Sequence, residues 1–248
     1  MWLRIGLAGA ALAAGVASSA GADTTPPPPT PAQSRPCAGV YVAATALSDY
    51  RFDGFSESDR LPTWQVNLHC YRNDGWYAGA VFTGVKFLDT PPTHFEMDLY
   101  AGKRFQTHGF GVNLELLYTT YPDQRAGKAS YGLFEPEAEV SRSFGKLTLK
   151  TQLAVSPNYS SDEGPALHWK GGASYAVTSW LSLGANAGRL WITHGIDRDH
   201  WDVGATAVWR RVTLDARYGG TNLKPDQCYF TNWCAPGASV SVTYRVAP

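Results

Sequence analysis

Residues 93–121 read THFEMDLYAGKRFQTHGFGVNLELLYTTY, and their polarity alternates from one position to the next. After a short turn containing Gly109, the alternation resumes through Val112–Thr119. The first run has an apolar face and a polar face, made respectively of Phe95, Met97, Leu99 and Ala101 and of Glu96, Asp98, Tyr100 and Gly102. A period of two is the pattern of a half-buried strand, so two such runs around a tight turn predict a β-hairpin.

Two properties of this hairpin bear on its environment. Each run is about as long as a tilted membrane-crossing strand, roughly 9 to 11 residues. The polar face also carries charged side chains in mid-strand, at Glu96, Asp98 and Glu115. A soluble β-sandwich can turn such charges toward water, so the hairpin alone leaves both environments open.

The same alternating unit recurs along the chain, and we count twelve strands. Short connections, such as Asn73–Gly75 and Arg210–Arg211, alternate with long ones, such as residues 49–62 and 219–236. This asymmetry predicts an all-β fold, a single closed antiparallel transmembrane β-barrel with short periplasmic turns and long extracellular loops. Because every backbone polar group needs a partner in hydrocarbon, the last strand must pair with the first.

Tryptophan positions support the same arrangement. The predicted strands place three tryptophans at periplasmic ends and four at external ends: Trp76, Trp180 and Trp209, then Trp64, Trp169, Trp191 and Trp201. Indole rings collect at membrane–water boundaries, although strand-end aromatics also occur in soluble sheets. Within one strand, Pro136 predicts a β-bulge because proline lacks an N–H.

The N-terminal region predicts export. Residues 1–22 have the features of a signal peptide: Arg4, an apolar stretch over residues 5–16, and the cleavage pattern Ala20-Gly21-Ala22. Residues 23–36 contain TPPPPTP and predict a proline-rich periplasmic tether, which leaves residues 37–248 for the barrel. These residues contain no run of about 20 apolar residues, so we predict no transmembrane helix. We therefore expect an outer-membrane protein in contact with lipid, the alternative being a soluble periplasmic β-barrel binder.

Composition and cysteine content narrow the functional classes. The formal net charge is zero, which argues against nucleic acid as a partner. Four cysteines in an exported chain indicate disulfides. We predict a Cys228–Cys234 pair within CYFTNWC and a possible second pair, Cys37–Cys70; free thiols or a zinc set are the alternatives. The Cys and His spacings do not support zinc, so we predict no metal and no cofactor.

The inward face of the predicted barrel carries charges of both signs on different strands. We predict an acidic wall and a basic wall, which consist respectively of Glu96, Asp98, Glu115, Glu135, Glu137 and Glu139 and of Lys150, Lys170, Arg210, Arg217 and Arg245. If the walls stay apart, they create a transverse field across a narrow pore for small polar or zwitterionic solutes. If they pair, they plug the barrel and leave an anchor or a loop-presenting protein.

An enzymatic alternative also exists, because some twelve-stranded outer-membrane barrels hydrolyse lipids. Such chemistry needs a nucleophile held against a base. His168 and Ser174 lie six residues apart on one strand face, about 20 Å by the strand rise, and no G-x-S-x-G elbow is present. We therefore predict that the protein is not an enzyme.

The stretch Ser48–Ser58, SDYRFDGFSES, resembles the S-D-Y-x-x-R-G-x-S-x-S stretch of the TorF family of porin-type outer-membrane proteins. Gly75–Gly79, Asp98–Gly102 and Tyr121-Pro122 are similar to later motifs of that family, in the same order. The resemblance implies an outer-membrane β-barrel and a channel. This chain departs from the family in having Asp53 where Arg is usual.

Overall fold

The computed structural model describes residues 37–125 and 130–246, which form a closed barrel of twelve antiparallel strands. A separate small hairpin is made of β2 (Arg51–Phe52) and β3 (Phe55–Ser56). The barrel strands are β1 (Gly39–Leu47), β4 (Thr63–Tyr71), β5 (Trp76–Gly84), β6 (Phe95–Thr107), β7 (Phe110–Thr120), β8 (Leu133–Phe144), β9 (Leu147–Ser156), β10 (Ala166–Ala176), β11 (Leu181–Ile192), β12 (Arg198–Trp209), β13 (Val212–Thr221) and β14 (Gly237–Arg245).

Closure joins the first strand to the last, as predicted. β1 pairs with β14 in a register that sets Ala43 opposite Arg245 and Leu47 opposite Ser241. Every other barrel strand pairs with its neighbours in the chain, so no sheet edge remains in the barrel. No helix among the described residues is both long enough and apolar enough to span a membrane.

Short and long connections lie at opposite ends of the barrel, which confirms the predicted asymmetry. One end carries the turns of two to four residues, and we call it the short-turn rim. The other end, the long-loop rim, carries the connections over residues 48–62, 85–94, 121–132, 157–165, 193–197 and 222–236.

The barrel has apolar side chains on its outer face and polar side chains on its inner face, which is the reverse of the distribution in a soluble protein. In the opening hairpin, Glu96 and Asp98 are buried at 1% and 0% exposure, whereas Leu99 and Leu116 are 42% and 53% exposed on the outer face. The seven tryptophans predicted near strand ends are all exposed on the outer face. Hydrophobic side chains thus cover the outside of the barrel, and hydrogen-bonding side chains fill the inside.

Two local predictions are corrected. β12 begins at Arg198, three residues before the predicted start at Trp201, and this places His200 in the barrel wall. The predicted bulge at Pro136 is wrong, because the β7–β8 register runs without interruption from Gly111↔Ser141 to Thr119↔Leu133. Instead, pairing of β8 with β9 begins at Glu137, just after the residue that lacks an N–H.

Both predicted disulfides are present, and they lie at opposite rims. Cys37–Cys70 joins the segment before β1 to β4 at the short-turn rim, with 5.4 Å between the Cα atoms. Cys228–Cys234 closes a small ring within loop 222–236 at the long-loop rim, with 6.1 Å between the Cα atoms. The predicted signal peptide and tether lie outside the described residues.

Candidate functional site in the barrel lumen

The connection between β1 and β4 enters the barrel as the β2–β3 hairpin. Asp53 and Gly54 form its two-residue turn, with φ values of 49° and 80°. Positive φ at both positions is the geometry of a type I′ turn, for which Asp-Gly is a preferred pair. Gly54 also approaches the wall closely, because a Cβ atom there would lie 2.3 Å from the carbonyl oxygen of Gly220 on β13.

Asp49 holds the base of the hairpin together. Its carboxylate accepts hydrogen bonds from the Ser56 hydroxyl at 2.6 Å and the Ser58 hydroxyl at 3.2 Å, and it pairs with Arg51 at 2.9 Å. The Ser58 hydroxyl in turn accepts a hydrogen bond from the backbone N–H of Tyr50. Asp49, Tyr50, Ser56 and Ser58 all belong to the stretch that carries the family resemblance, so this motif specifies a folded loop.

The hairpin contacts two well-separated parts of the wall. On one side, the Tyr50 hydroxyl donates to Glu96 on β6 at 3.0 Å. On the other side, Asp53 forms an ion pair with Lys170 at 3.0 Å, and its second carboxylate oxygen lies 3.3 Å from Nε2 of His168; both residues are on β10. Three strands separate β6 from β10 in the barrel order, so the hairpin crosses the lumen between them.

A buried polar cluster surrounds the tip of the hairpin. The Nε2 atom of His200, on β12, lies 3.6 Å from Asp53 Oδ1 and 3.0 Å from Nε2 of His168. The ammonium group of Lys170 lies 5.0 Å from the centroid of the Phe52 ring. Burial by itself raises the pKa of Asp53, but the neighbouring His168 and Lys170 outweigh this effect and hold the pKa well below its usual value. The adjacent ammonium group of Lys170 thus favours the charged form of the Asp53 carboxylate.

Loop 222–236 covers the hairpin from outside. Arg51 donates to the carbonyl oxygen of Ala235 at 2.8 Å, and the Phe55 and Trp233 rings meet edge to face. Asp59 accepts hydrogen bonds from Lys86 at 2.7 Å and from the indole of Trp233 at 2.8 Å. These two hydrogen bonds lower the pKa of Asp59. Three long loops are thus joined over the barrel entrance.

The predicted acidic residues all face the lumen, and five of the six have a side-chain partner among the described residues. Glu96 accepts from the Tyr121 hydroxyl at 2.7 Å as well as from Tyr50, and Asp98 accepts from Thr119 at 2.6 Å. Glu115 accepts a hydrogen bond from the Tyr77 hydroxyl at 2.7 Å, and Glu137 accepts one from the Gln152 amide. Glu139 lies 4.0 Å from the Lys150 ammonium group. Glu135 lies in the electrostatic field of Lys170 and Asp53.

Four of the five predicted basic residues line the lumen. Lys150 and Lys170 pair as described, Arg217 pairs with Asp202 and Asp215, and the Arg245 guanidinium lies 5.1 Å from the Tyr41 ring centroid. Arg210 is placed elsewhere: it is exposed in the turn between β12 and β13, with its guanidinium 5.2 Å from the Trp209 ring. Arg210 therefore belongs to the short-turn rim and not to the lumen wall.

A cluster of aromatic side chains that the alternation does not predict lies in the lumen near the short-turn rim. His69 stacks on Tyr77 and Tyr100 with ring centroids 5.5 and 5.7 Å apart, and it contacts Tyr41 at 4.8 Å. The Arg104 guanidinium lies 4.4 Å from the Tyr77 ring centroid. Side chains thus extend into the lumen at two levels, from the hairpin near the long-loop rim and from these rings near the short-turn rim.

The strand pattern does not predict that Asp53 and His200 belong to one cluster. The Asp53-Gly54 pair is a hairpin signal, and recognising it would have given a folded loop. Nothing in the sequence indicates that this loop turns inward, because the residues that surround Asp53 at its tip lie more than 100 positions away in the chain.

Comparisons with known proteins agree with this architecture. Residues 34–244 match the family model described as "Bacterial protein of unknown function (Gcw_chp)". The chain belongs to the Gcw_chp family. The family model thus does not confirm the TorF resemblance by name, and a search of curated protein sequences finds no match.

The solved structures that resemble this chain include outer-membrane porins and channels. The structure titled "KdgM porin" has a TM-score of 0.57 at 8% identity, with 83% of this chain and 98% of that chain covered. The COG4313 outer membrane channel from Pseudomonas putida F1 has a TM-score of 0.51 at 10% identity, with 90% and 100% covered. At these identities the likeness concerns the fold, and this chain is a porin-like barrel.

Proposed function

We propose that this Gcw_chp protein is an outer-membrane channel for the passive diffusion of small polar solutes. The observation that carries the proposal is the hydrogen-bonding and charged lining of the closed barrel, combined with an apolar outer face that ends in aromatic residues at both rims. A lining of this kind stabilises water and polar solutes, whereas lipid fits the outer face. Export by the predicted signal peptide completes this proposal.

The β2–β3 hairpin and the aromatic cluster favour solutes that are small. Both reduce the open cross-section of a twelve-stranded barrel, which is already narrower than that of the large porins. Acidic groups on β6–β8 and basic groups on β9, β10, β13 and β14 favour solutes that carry both charges, because each wall attracts one sign.

A non-conducting barrel is the second candidate, and one observation favours it. The hairpin is bonded to β6 and to β10, and several lining charges pair with one another. In this alternative the barrel presents its long loops to the outside and passes no solute.

Single-channel recording in planar bilayers distinguishes the two candidates. The channel proposal expects discrete current steps from folded, heat-modifiable protein in salt solution. Folded protein that yields no conductance above the lipid baseline, while a variant lacking residues 50–58 conducts, supports the plugged barrel and overturns the open channel.

The acidic wall gives a test of solute preference. Replacing Glu135, Glu137 and Glu139 together by Gln removes three inward carboxylates, so we expect the reversal potential in a salt gradient to shift toward anion selectivity. The matched control is Asp226→Asn, which changes an exposed loop charge outside the lumen. An unchanged reversal potential in the triple variant contradicts the assignment of this wall to the conduction path.

A further inference from the structure

Three metal-ligating side chains converge from three separate elements of the structure. His168 comes from β10, His200 from β12, and Asp53 from the tip of the β2–β3 hairpin. Their candidate ligand atoms all lie within 4.8 Å of one another. The side chains of all three are at least nine-tenths buried, with exposures of 2%, 4% and 2% respectively.

The distances between these atoms match the edges of a tetrahedral metal site. Bonds of about 2.0–2.1 Å from zinc to nitrogen or oxygen place neighbouring ligand atoms about 3.3 Å apart in a tetrahedron. The observed separations are 3.0 Å between the two Nε2 atoms, 3.3 Å from His168 Nε2 to Asp53 Oδ2, and 3.6 Å from His200 Nε2 to Asp53 Oδ1. The two imidazoles therefore face different oxygens of the Asp53 carboxylate, and a rotation of that carboxylate is needed for one oxygen and both Nε2 atoms to bind one ion.

A hydrogen bond between the two imidazoles accounts for only part of this arrangement. It explains the approach of His168 to His200 but leaves Asp53 Oδ2 buried without a hydrogen-bond partner in the described residues. A buried acceptor without a donor is costly, and a cation beside it removes that cost.

Gly188 provides the space that the His200 imidazole occupies near His168. Gly188 on β11 lies between the strands of the two histidines, opposite Lys170 on β10 and His200 on β12. A Cβ atom at Gly188 would lie 2.3 Å from Nε2 of His200. The missing side chain therefore lets the imidazole of His200 cross β11 toward His168.

The surroundings resemble the outer shell of a metal site. The Lys170 ammonium group lies 3.0 Å from Asp53 Oδ1 and forms an ion pair with the carboxylate. Ligating carboxylates are usually held in this way by a second partner. The buried carboxyl group of Glu135 lies in the electrostatic field of Lys170 and Asp53.

We propose that Asp53, His168 and His200 bind a divalent transition-metal ion, best matched by Zn²⁺, and that the ion fastens the β2–β3 hairpin to the barrel wall. Two imidazoles and one carboxylate suit Zn²⁺ and exclude Mg²⁺ and Ca²⁺, which take oxygen ligands. Three protein ligands leave a fourth position for water or a solute group.

The test measures Zn²⁺ binding to untagged, folded protein in detergent after treatment with EDTA. We expect saturable binding near one ion per chain by calorimetry and a rise in the unfolding temperature when Zn²⁺ is added. His200→Ala removes one ligand, so affinity falls at least about 100-fold, since loss of a mere outer-shell partner already costs 10- to 100-fold.

Gly188→Ala provides a test that keeps all three ligands. Its Cβ displaces the His200 ring, so we expect weaker Zn²⁺ binding. The matched control is Gly184→Ala on the same strand, where a Cβ atom would lie 3.6 Å or more from its neighbours and affinity should not change. Heat-modifiable gel mobility shows whether each variant is folded.

These experiments test Zn²⁺ binding and ion conduction independently, so the metal site and the channel can be refuted separately. Absence of saturable Zn²⁺ binding to folded wild-type protein overturns the metal site, whether or not the barrel conducts. Equal affinity in wild type, His200→Ala and Gly188→Ala also overturns it, because the ion then binds elsewhere. Zn²⁺ binding without conductance overturns the open channel and leaves the metal site standing.

Discussion

Asp53→Asn tests the inward position of the β2–β3 hairpin, because it removes a charge with little change of shape. Lys170 lies 3.0 Å from the Asp53 carboxylate and its side chain is only 2% exposed. Breaking one partner of a buried ion pair costs about 3–5 kcal/mol. The hairpin can relieve that cost by leaving the wall and letting water reach Lys170. We therefore expect its release to become at least about 100-fold more favourable, at about 1.4 kcal/mol per factor of ten.

The direct assay is hydrogen exchange of the backbone amides in residues 51–56, with single-channel conductance as the functional readout. Exchange should accelerate and conductance should rise in Asp53→Asn, whereas Asp226→Asn should match wild type. Protection of residues 51–56 that is equal in Asp53→Asn and wild type refutes the reasoning, because the ion pairs then contribute nothing to hairpin docking.

The same ion pairs predict a pH dependence with a definite sign. The pKa of Asp53 is lower in the folded protein than in the unfolded chain, so its contribution is fully present above the ordinary carboxyl value of about 4. That contribution is lost as the pH falls through the lowered pKa. Wild-type protein in strong acid should therefore approach the exchange behaviour that Asp53→Asn shows at neutral pH.

Three further predictions concern the outer face, the disulfides and the loop contacts. Leu116→Arg should lower the free energy of unfolding in lipid bilayers by about 2–4 kcal/mol, whereas Phe144→Arg at the short-turn rim should lower it by about 1 kcal/mol or less. Equal losses for the two variants in a lipid-refolding titration would contradict the membrane depth assigned to β7. Replacing the Cys37–Cys70 pair by serine should lower the free energy of unfolding by about 4 kcal/mol, and replacing the Cys228–Cys234 pair should lower it by about 2 kcal/mol. The first loss is larger because the first disulfide closes a loop of 33 residues and the second a loop of 6. Denaturant titration compares the two losses, and a larger loss for Cys228–Cys234 would contradict the prediction. Asp59 has a lowered pKa, so its hydrogen bonds to Lys86 and Trp233 weaken as the pH falls below about 4. Hydrogen exchange of the backbone amides in residues 229–235 should therefore accelerate in acid in the wild type. In Asp59→Ala the same amides should already exchange fast at neutral pH.

The sequence determined the barrel because its signals are local and repeated. Alternation assigns each side chain of a strand to one face, and this placed Glu96 and Asp98 inside and Leu99 outside without any structure. Recurrence of the alternating unit determined the strand count, and the order of short and long connections determined the two rims. The prediction of a bulge, which depended on the single residue Pro136, was wrong. Pairing of β8 with β9 begins just after Pro136, and the pairing of β8 with β7 is continuous.

Only the tertiary structure decided what occupies the lumen. Alternation gives the face of a side chain but not its height in the barrel or its partner across it, because these depend on strand register and on closure. The contact of Asp53 with His168 and His200 joins residues more than 100 positions apart, and it requires a loop that turns inward instead of toward solvent. Arg210 shows the same limit on a smaller scale: it lies in a two-residue turn, where alternation no longer determines direction, and its side chain lies over Trp209 outside the lumen.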